Sequence, residues 1–137
     1  MSAVFAFALA KAAIGLAPGS YAFVTNDLVD GKPVCTEQWD FAAKGKMTVY
    51  SGQEISRSTY RFERNRDGEW LVTTYVSTNG QPDCMGNRVT DPPVGQVRRT
   101  FLLRFKGGGA TVCPPPGHTD KGVPFISGCF ATLTRKP

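Results

Sequence analysis

Four cysteines, Cys35, Cys84, Cys113 and Cys129, carry the most distinctive chemistry in this sequence. Their spacings are long and unequal, and none has the short C-x-x-C form of a zinc or redox site, so an even set of this kind predicts disulfides. Four cysteines allow three connectivities. Cys35 with Cys84 and Cys113 with Cys129 is favoured, because the second pair flanks one proline-rich excursion. Disulfides imply an oxidising compartment, periplasmic or extracellular, against the alternative of four reduced thiols in a cytosolic protein.

The other reactive groups assemble into nothing comparable. His118 is the single histidine and sits in a Pro/Gly-rich loop, with no Gly-x-Ser-x-Gly elbow and no recognisable Cys-His pair. Glu37 with Asp40, or Glu63 with Asp67, are spaced for acid/base work, but such pairs are usually solvated edges. Gly107-Gly108-Gly109 lacks the following helix and Lys-Ser/Thr of a phosphate loop and reads as a hairpin turn. Asp83, Cys84 and His118 are at best neighbours in loops, too few for a metal. The expectation is a protein that is not an enzyme, with no catalytic residue, no metal and no cofactor.

The elements that position these residues are strands. From residue 18 onward the apolar pattern has period two, with turn residues about every ten positions, the signature of antiparallel strands in a sandwich or barrel. Strands are predicted near 19–25, 35–41, 46–51, 57–64, 69–78, 97–106, 110–113 and 125–134, separated by Asp30-Gly31, Lys44-Gly45, Asp67-Gly68, Asn79-Gly80 and the Gly107 to Gly109 run. The predicted fold class is all-β: an up-and-down meander of about eight strands closed into a barrel, forming one domain over 18–137. Two long loops, 81–96 and 114–124, interrupt it and are candidate recognition sites.

Residues 1–17 stand apart. Ser2 to Ala17 is apolar and alanine-rich with one lysine, and Pro18-Gly19 stops it. Its apolar core is far shorter than the roughly 20 residues of a bilayer span. It is either a signal-sequence remnant, with small-x-small sites at Ala8 to Ala10 and Ser20 to Ala22, or a short helix packing Phe5, Leu9 and Ile14 against the barrel.

Alternation assigns faces. Tyr60 and Phe62 oppose Arg61 and Glu63; Phe101, Leu103 and Phe105 oppose Leu102 and Arg104; Trp39 and Phe41 share a face with Glu37; Trp70 shares one with Val72, Thr74 and Val76. Placing the aromatics inside gives Trp39, Phe41, Tyr60, Phe62, Trp70, Phe101 and Phe105 as candidate walls of a ligand site, in a barrel just wide enough to be filled or to hold one small ligand. Glu37 then either points into a polar cavity or sits in water at a strand end, the second being the expected position. Arg57, Arg61, Arg64, Arg66, Arg98, Arg104 and Lys106 are placed on an outer basic face. That face lacks the interleaved exposed aromatics that nucleic-acid binding requires.

Gly19-Ser20-Tyr21 at the start of the first strand, the string of short up-and-down strands and Arg135 in the last strand resemble the lipocalin and wider calycin barrels. Those families usually carry Gly-x-Trp where this chain has Gly-Ser-Tyr, with an arginine from the last strand packing over the ring. The resemblance implies an eight-stranded barrel with an internal site for a small apolar molecule and transfers no catalytic residue. Two functional classes follow as expectations: an exported carrier of a small hydrophobic or amphipathic ligand, or a non-catalytic protein-interaction module acting through the two long loops. A net charge of +5 suits an acidic protein partner in the second case.

Overall fold

A computed structural model describes residues 13–137. Twelve strands follow one another: β1 (Gly19–Thr25), β2 (Leu28–Val29), β3 (Lys32–Pro33), β4 (Thr36–Ala42), β5 (Lys46–Ser51), β6 (Glu54–Asn65), β7 (Gly68–Thr78), β8 (Val97–Phe105), β9 (Gly109–Cys113), β10 (Gly117–His118), β11 (Pro124–Phe125) and β12 (Ala131–Arg135). Eight of them close into an antiparallel barrel in the order β1-β12-β9-β8-β7-β6-β5-β4, each paired with its sequence neighbour among the eight and β12 returning to β1. Closure leaves no unpaired edge. The pairs β2–β3 and β10–β11 are two-stranded ribbons within the connections.

The turns sort the barrel into two unlike ends. Tight connections at 43–45, 66–67 and 106–108 share one end with the start of β1 and the finish of β12. Segment 13–18 crosses there, so this end is closed. Leu16 is buried in the core cluster, the Gly15 N–H donates to Glu69 Oε1 at 2.8 Å, and Arg104 Nη2 donates to the Ala13 carbonyl at 3.0 Å. Gly15 has φ +76° and lies so close to the Phe62 ring that a Cβ would fall 2.0 Å from its Cγ, so only glycine fits. This segment is not helical. Ile14, expected to pack inward, is 43% exposed, and Leu16 takes that place. Phe5, Leu9 and the alternatives of signal remnant or helix lie outside the described residues.

Inside the closed half, Tyr21, Phe41, Leu71, Leu102, Ala110, Val112 and Leu133 form the core, with Tyr60 and Phe62 packed against it. Each large aliphatic side chain fully buried there contributes roughly 1.5–3 kcal/mol. The Phe41 ring meets Tyr60 at 5.0 Å edge-on, Phe62 at 5.7 Å and Tyr21 at 5.6 Å. Aromatic packing thus makes the closed half solid.

The open end carries the long connections. Both disulfides form with the expected connectivity, Cys35–Cys84 and Cys113–Cys129, and each pins one of them. Residues 79–96 fold back over the β5–β6 turn, where the Pro82 carbonyl accepts from the Gln53 and Glu54 amides at 2.9 and 3.0 Å and the Cys84 amide donates to the buried Ser51 hydroxyl at 3.0 Å. Residues 114–130 run along the outer wall of the barrel. His118 Nε2 there lies 3.1 Å from both carboxylate oxygens of Asp67, in the β6–β7 turn.

That outer loop corrects the predicted faces of β7 and β8. Trp70, Val72, Phe101 and Cys113 form a second cluster, with Cys129 against it, separate from the barrel interior. The Trp70 and Phe101 rings meet at 5.0 Å, and the Arg99 guanidinium sits 5.1 Å from the Trp70 ring centre. The alternation is as expected, but Leu71 and Leu102 point inward while Trp70 and Phe101 point outward. Because both faces are buried here, hydrophobicity could not tell inside from outside. Among the described residues, no helix is long and apolar enough to cross a membrane.

Candidate functional site

The open half of the barrel is hollow. A cavity of about 440 Å³ lies between the aromatic floor and the 79–96 loop, within the size range of small-molecule sites. Its lower wall is apolar, with Trp39, Met47, Val49 and Leu71. Above them β6, β7 and β8 contribute Ser56, Ser58, Thr73, Tyr75 and Thr100, and the cover supplies Asp83, Val89 and Pro93. Charged groups ring the mouth: Glu37 on β4, Glu54 on β6 and Arg98 on β8. In the order of the eight strands β4 and β8 stand four places apart, so Glu37 and Arg98 occupy opposite walls.

The register explains why these residues meet. Trp39 pairs with Val49, and Val49 with Ser56, so one inward row crosses three strands. Thr73 pairs with Arg98 on the other side. A bulge in β7 falls between these rows: Arg57 pairs with Ser77 and Ser58 with Tyr75, leaving Val76 as the extra residue. Such a bulge bends its strand and re-aims the side chains beyond it, here at the mouth.

Glu37 is half-buried and accepts a hydrogen bond from Trp39 Nε1 at 3.0 Å, fixing the indole whose face stacks on Phe23 at 4.8 Å. It therefore lines the cavity instead of sitting in water at a strand end. Its other oxygen lies 3.8 Å from Cys84 Sγ. That sulfur is in a disulfide and has no hydrogen to donate, so the contact is not a hydrogen bond. Glu54 takes the Thr78 hydroxyl on one oxygen. Among the described residues none of Glu37, Glu54, Asp83 or Arg98 belongs to an ion pair. Cys35, Glu37 and Cys84 place potential ligand atoms within 4.8 Å of one another, but the disulfide commits both sulfurs and leaves no metal set there.

The seven aromatics expected to line a ligand site divide three ways. Trp39 lines the cavity. Phe41, Tyr60 and Phe62 face inward but are packed into the floor, with the Tyr60 hydroxyl donating to the Ala42 carbonyl at 2.8 Å. Trp70, Phe101 and Phe105 face outward: the first two lie under the Cys113–Cys129 loop, and Phe105 is 43% exposed at the end of β8. Arg98, expected on the outer basic face, lines the cavity instead. Pairing engages only part of the basic set and leaves Arg57, Arg66 and Lys106 in no ion pair among the described residues. Arg61 and Arg99 hold Glu63, and Arg64 and Arg104 hold Glu69. Hydrogen bonds from Arg99 and Arg61 hold the Glu63 carboxyl below its ordinary range. Burial pushes the Glu69 carboxyl up, but the Gly15 amide, Arg104 and Arg64 outweigh it and bring it below its ordinary value.

A second hollow, about 540 Å³, lies at the closed end between segment 13–18 and the finish of β8, and both of its basic groups are engaged. Arg104 holds Glu69 and the Ala13 carbonyl, and Arg135 donates to the Pro18 carbonyl at 3.1 Å. No protein-family model, curated protein or solved structure matches the chain.

Proposed function

We propose that this protein is an exported, lipocalin-like carrier that holds one small amphipathic molecule in the open half of its barrel. The observation that carries this reading is the cavity of about 440 Å³ with an apolar floor and a polar, charged mouth. A purely hydrophobic ligand suits it less well, because such a molecule would strip water from Glu37, Glu54 and the hydroxyl rows without replacing their hydrogen bonds. Two disulfides support a life in an oxidising compartment. The seat of Arg135 beside Tyr21 at the closed end supports the calycin resemblance.

Native mass spectrometry of protein gently purified from its own source tests the proposal. A stoichiometric small-molecule adduct, lost on denaturation and absent from a Val49→Trp variant that fills the cavity, is the expected result. A bare monomer in repeated preparations, with no ligand taken up from a small-molecule library, would refute it.

The interaction-module reading draws on the exposed apolar tips of the two long loops, Met85 and Val94 on one and Val123 and Phe125 on the other. A larger complex surviving purification would favour it.

A further inference from the structure

We infer that the ligand of the barrel cavity is an organic cation, an ammonium group on an apolar or aromatic body. The inference rests on the carrier reading and adds the chemistry of the ligand's head. In a chain with a net charge of +5, the cavity lining carries Glu37, Glu54 and Asp83 against Arg98, three negative charges against one positive, a formal −2. The local imbalance runs against the whole molecule. At physiological ionic strength charges beyond about 8–10 Å are screened, so a bound head group responds to the lining more than to the outer surface.

The groups differ in what they have left to offer. Asp83 accepts the Met85 and Asn87 amides at 2.9 Å and stabilises its own loop. Arg98 is exposed and belongs to no ion pair among the described residues. Glu37 and Glu54 are half-buried, and each has an oxygen with no hydrogen-bond donor among the described residues. A partly buried carboxylate oxygen lacking a donor gains from a positively charged one. Glu37 also holds the Trp39 indole in place, which puts an electron-rich ring beside the same acceptor, the pairing that favours ammonium ligands. Tyr75, on the wall of the same cavity, has a buried phenolic oxygen without a hydrogen-bond partner, a further polar group for a ligand to satisfy. The floor of Met47, Val49 and Leu71 takes the apolar body.

Three probes with the same ring and different heads, 2-phenylethylammonium, 2-phenylethanol and 3-phenylpropionate, separate the outcomes by isothermal titration calorimetry on the intact disulfide-bonded chain. The ammonium should bind at least tenfold more tightly than the alcohol, and the propionate more weakly still. Glu37→Gln should weaken the ammonium about tenfold, leave the alcohol within about twofold, and preserve the thermal transition. Arg98→Gln should strengthen the ammonium. Equal affinity for ammonium and alcohol, or a preference for propionate abolished by Arg98→Gln, overturns the cation while leaving the carrier standing. No binding of any probe at millimolar concentration by the folded protein overturns both.

Discussion

Arg135 stands directly across the β1–β12 seam from Tyr21, and its guanidinium donates to the carbonyl of Pro18, one residue before the first strand begins. The Tyr21 hydroxyl donates to the Ala17 carbonyl at 2.6 Å, so the two side chains together tie segment 13–18 across the closed end. The side chain of Tyr21 is fully buried; Arg135 is exposed.

Arg135→Met should therefore cost only about 0.5–1.5 kcal/mol, the net worth of one such hydrogen bond, read as a fall of a few degrees in Tm. It should also sharpen the alkaline limb. Burial raises the Tyr21 pKa above 10.0, and the Arg135 charge partly opposes that rise. A raised folded-state value means stability is intact below pH 10 and is lost as the pH climbs above it. Without Arg135 the folded-state value rises further and the loss grows. Denaturant midpoints at pH 8 and pH 11 for both proteins check this, and equal alkaline losses would contradict it.

Glu69 governs the acid side. Despite the opposing effect of burial, its carboxyl is brought below 4.5 by the Gly15 amide, Arg104 and Arg64. A depressed folded-state value gives stability that is present above about pH 4.5 and lost as the pH falls through the folded value. Glu69→Gln should lower stability at pH 7 by about 1–2 kcal/mol and flatten the acid limb below pH 4.5. A chemical-denaturation series from pH 7 to pH 3 reads both effects.

The strand order, the two disulfides and the long loops were legible in the sequence, because alternation, turn residues and cysteine count are local signals. The inner wall was legible only in part. On β4 and β6 one face is apolar and the other polar, and the expected inward set, Trp39, Phe41, Tyr60 and Phe62, is the observed one. On β7 and β8 both Trp70 and Leu71, and both Phe101 and Leu102, are buried. Period-two reasoning needs one wet face, and the 114–130 loop removes it. Part of the cavity wall was missed for the same reason: Thr73 and Thr100, which alternate with Trp70 and Phe101, read as outward residues and line the cavity, whereas Ser56 and Ser58 share the inward face of Tyr60 and Phe62. On β7 and β8 the polar positions that alternate with the aromatics, and the aromatics expected to face a ligand, exchange places.

The outer cluster makes its own prediction. Replacing Cys113 and Cys129 together by alanine opens a loop spanning 16 residues and should cost roughly 3 kcal/mol in the chain-entropy account. Trp70, now 7% exposed, should become wetter. In a Trp39→Phe background its emission should shift to the red and its quenching by acrylamide rise, while the double cysteine variant with Trp39 intact keeps its ligand in the cavity at the other face of β7. Loss of ligand in proportion to the red shift would show that the two faces are coupled.

Trp39 and Phe101 separate binding from stability. Phe101 is fully buried against Trp70 and touches no part of the cavity, so Phe101→Leu should lower the unfolding free energy by about 1–3 kcal/mol and leave the dissociation constant of a bound amphiphile unchanged. Trp39 is only half-buried and forms the cavity wall beside Glu37. Trp39→Leu should cost less stability than a fully buried aromatic would, yet weaken the ligand at least tenfold, because the stacking face and the donor that orients Glu37 go together. Parallel measurement of denaturant midpoints and ligand affinity places each variant on one axis. If Phe101→Leu weakened the ligand as much as Trp39→Leu did, the separation of an inner wall from an outer cluster would be wrong.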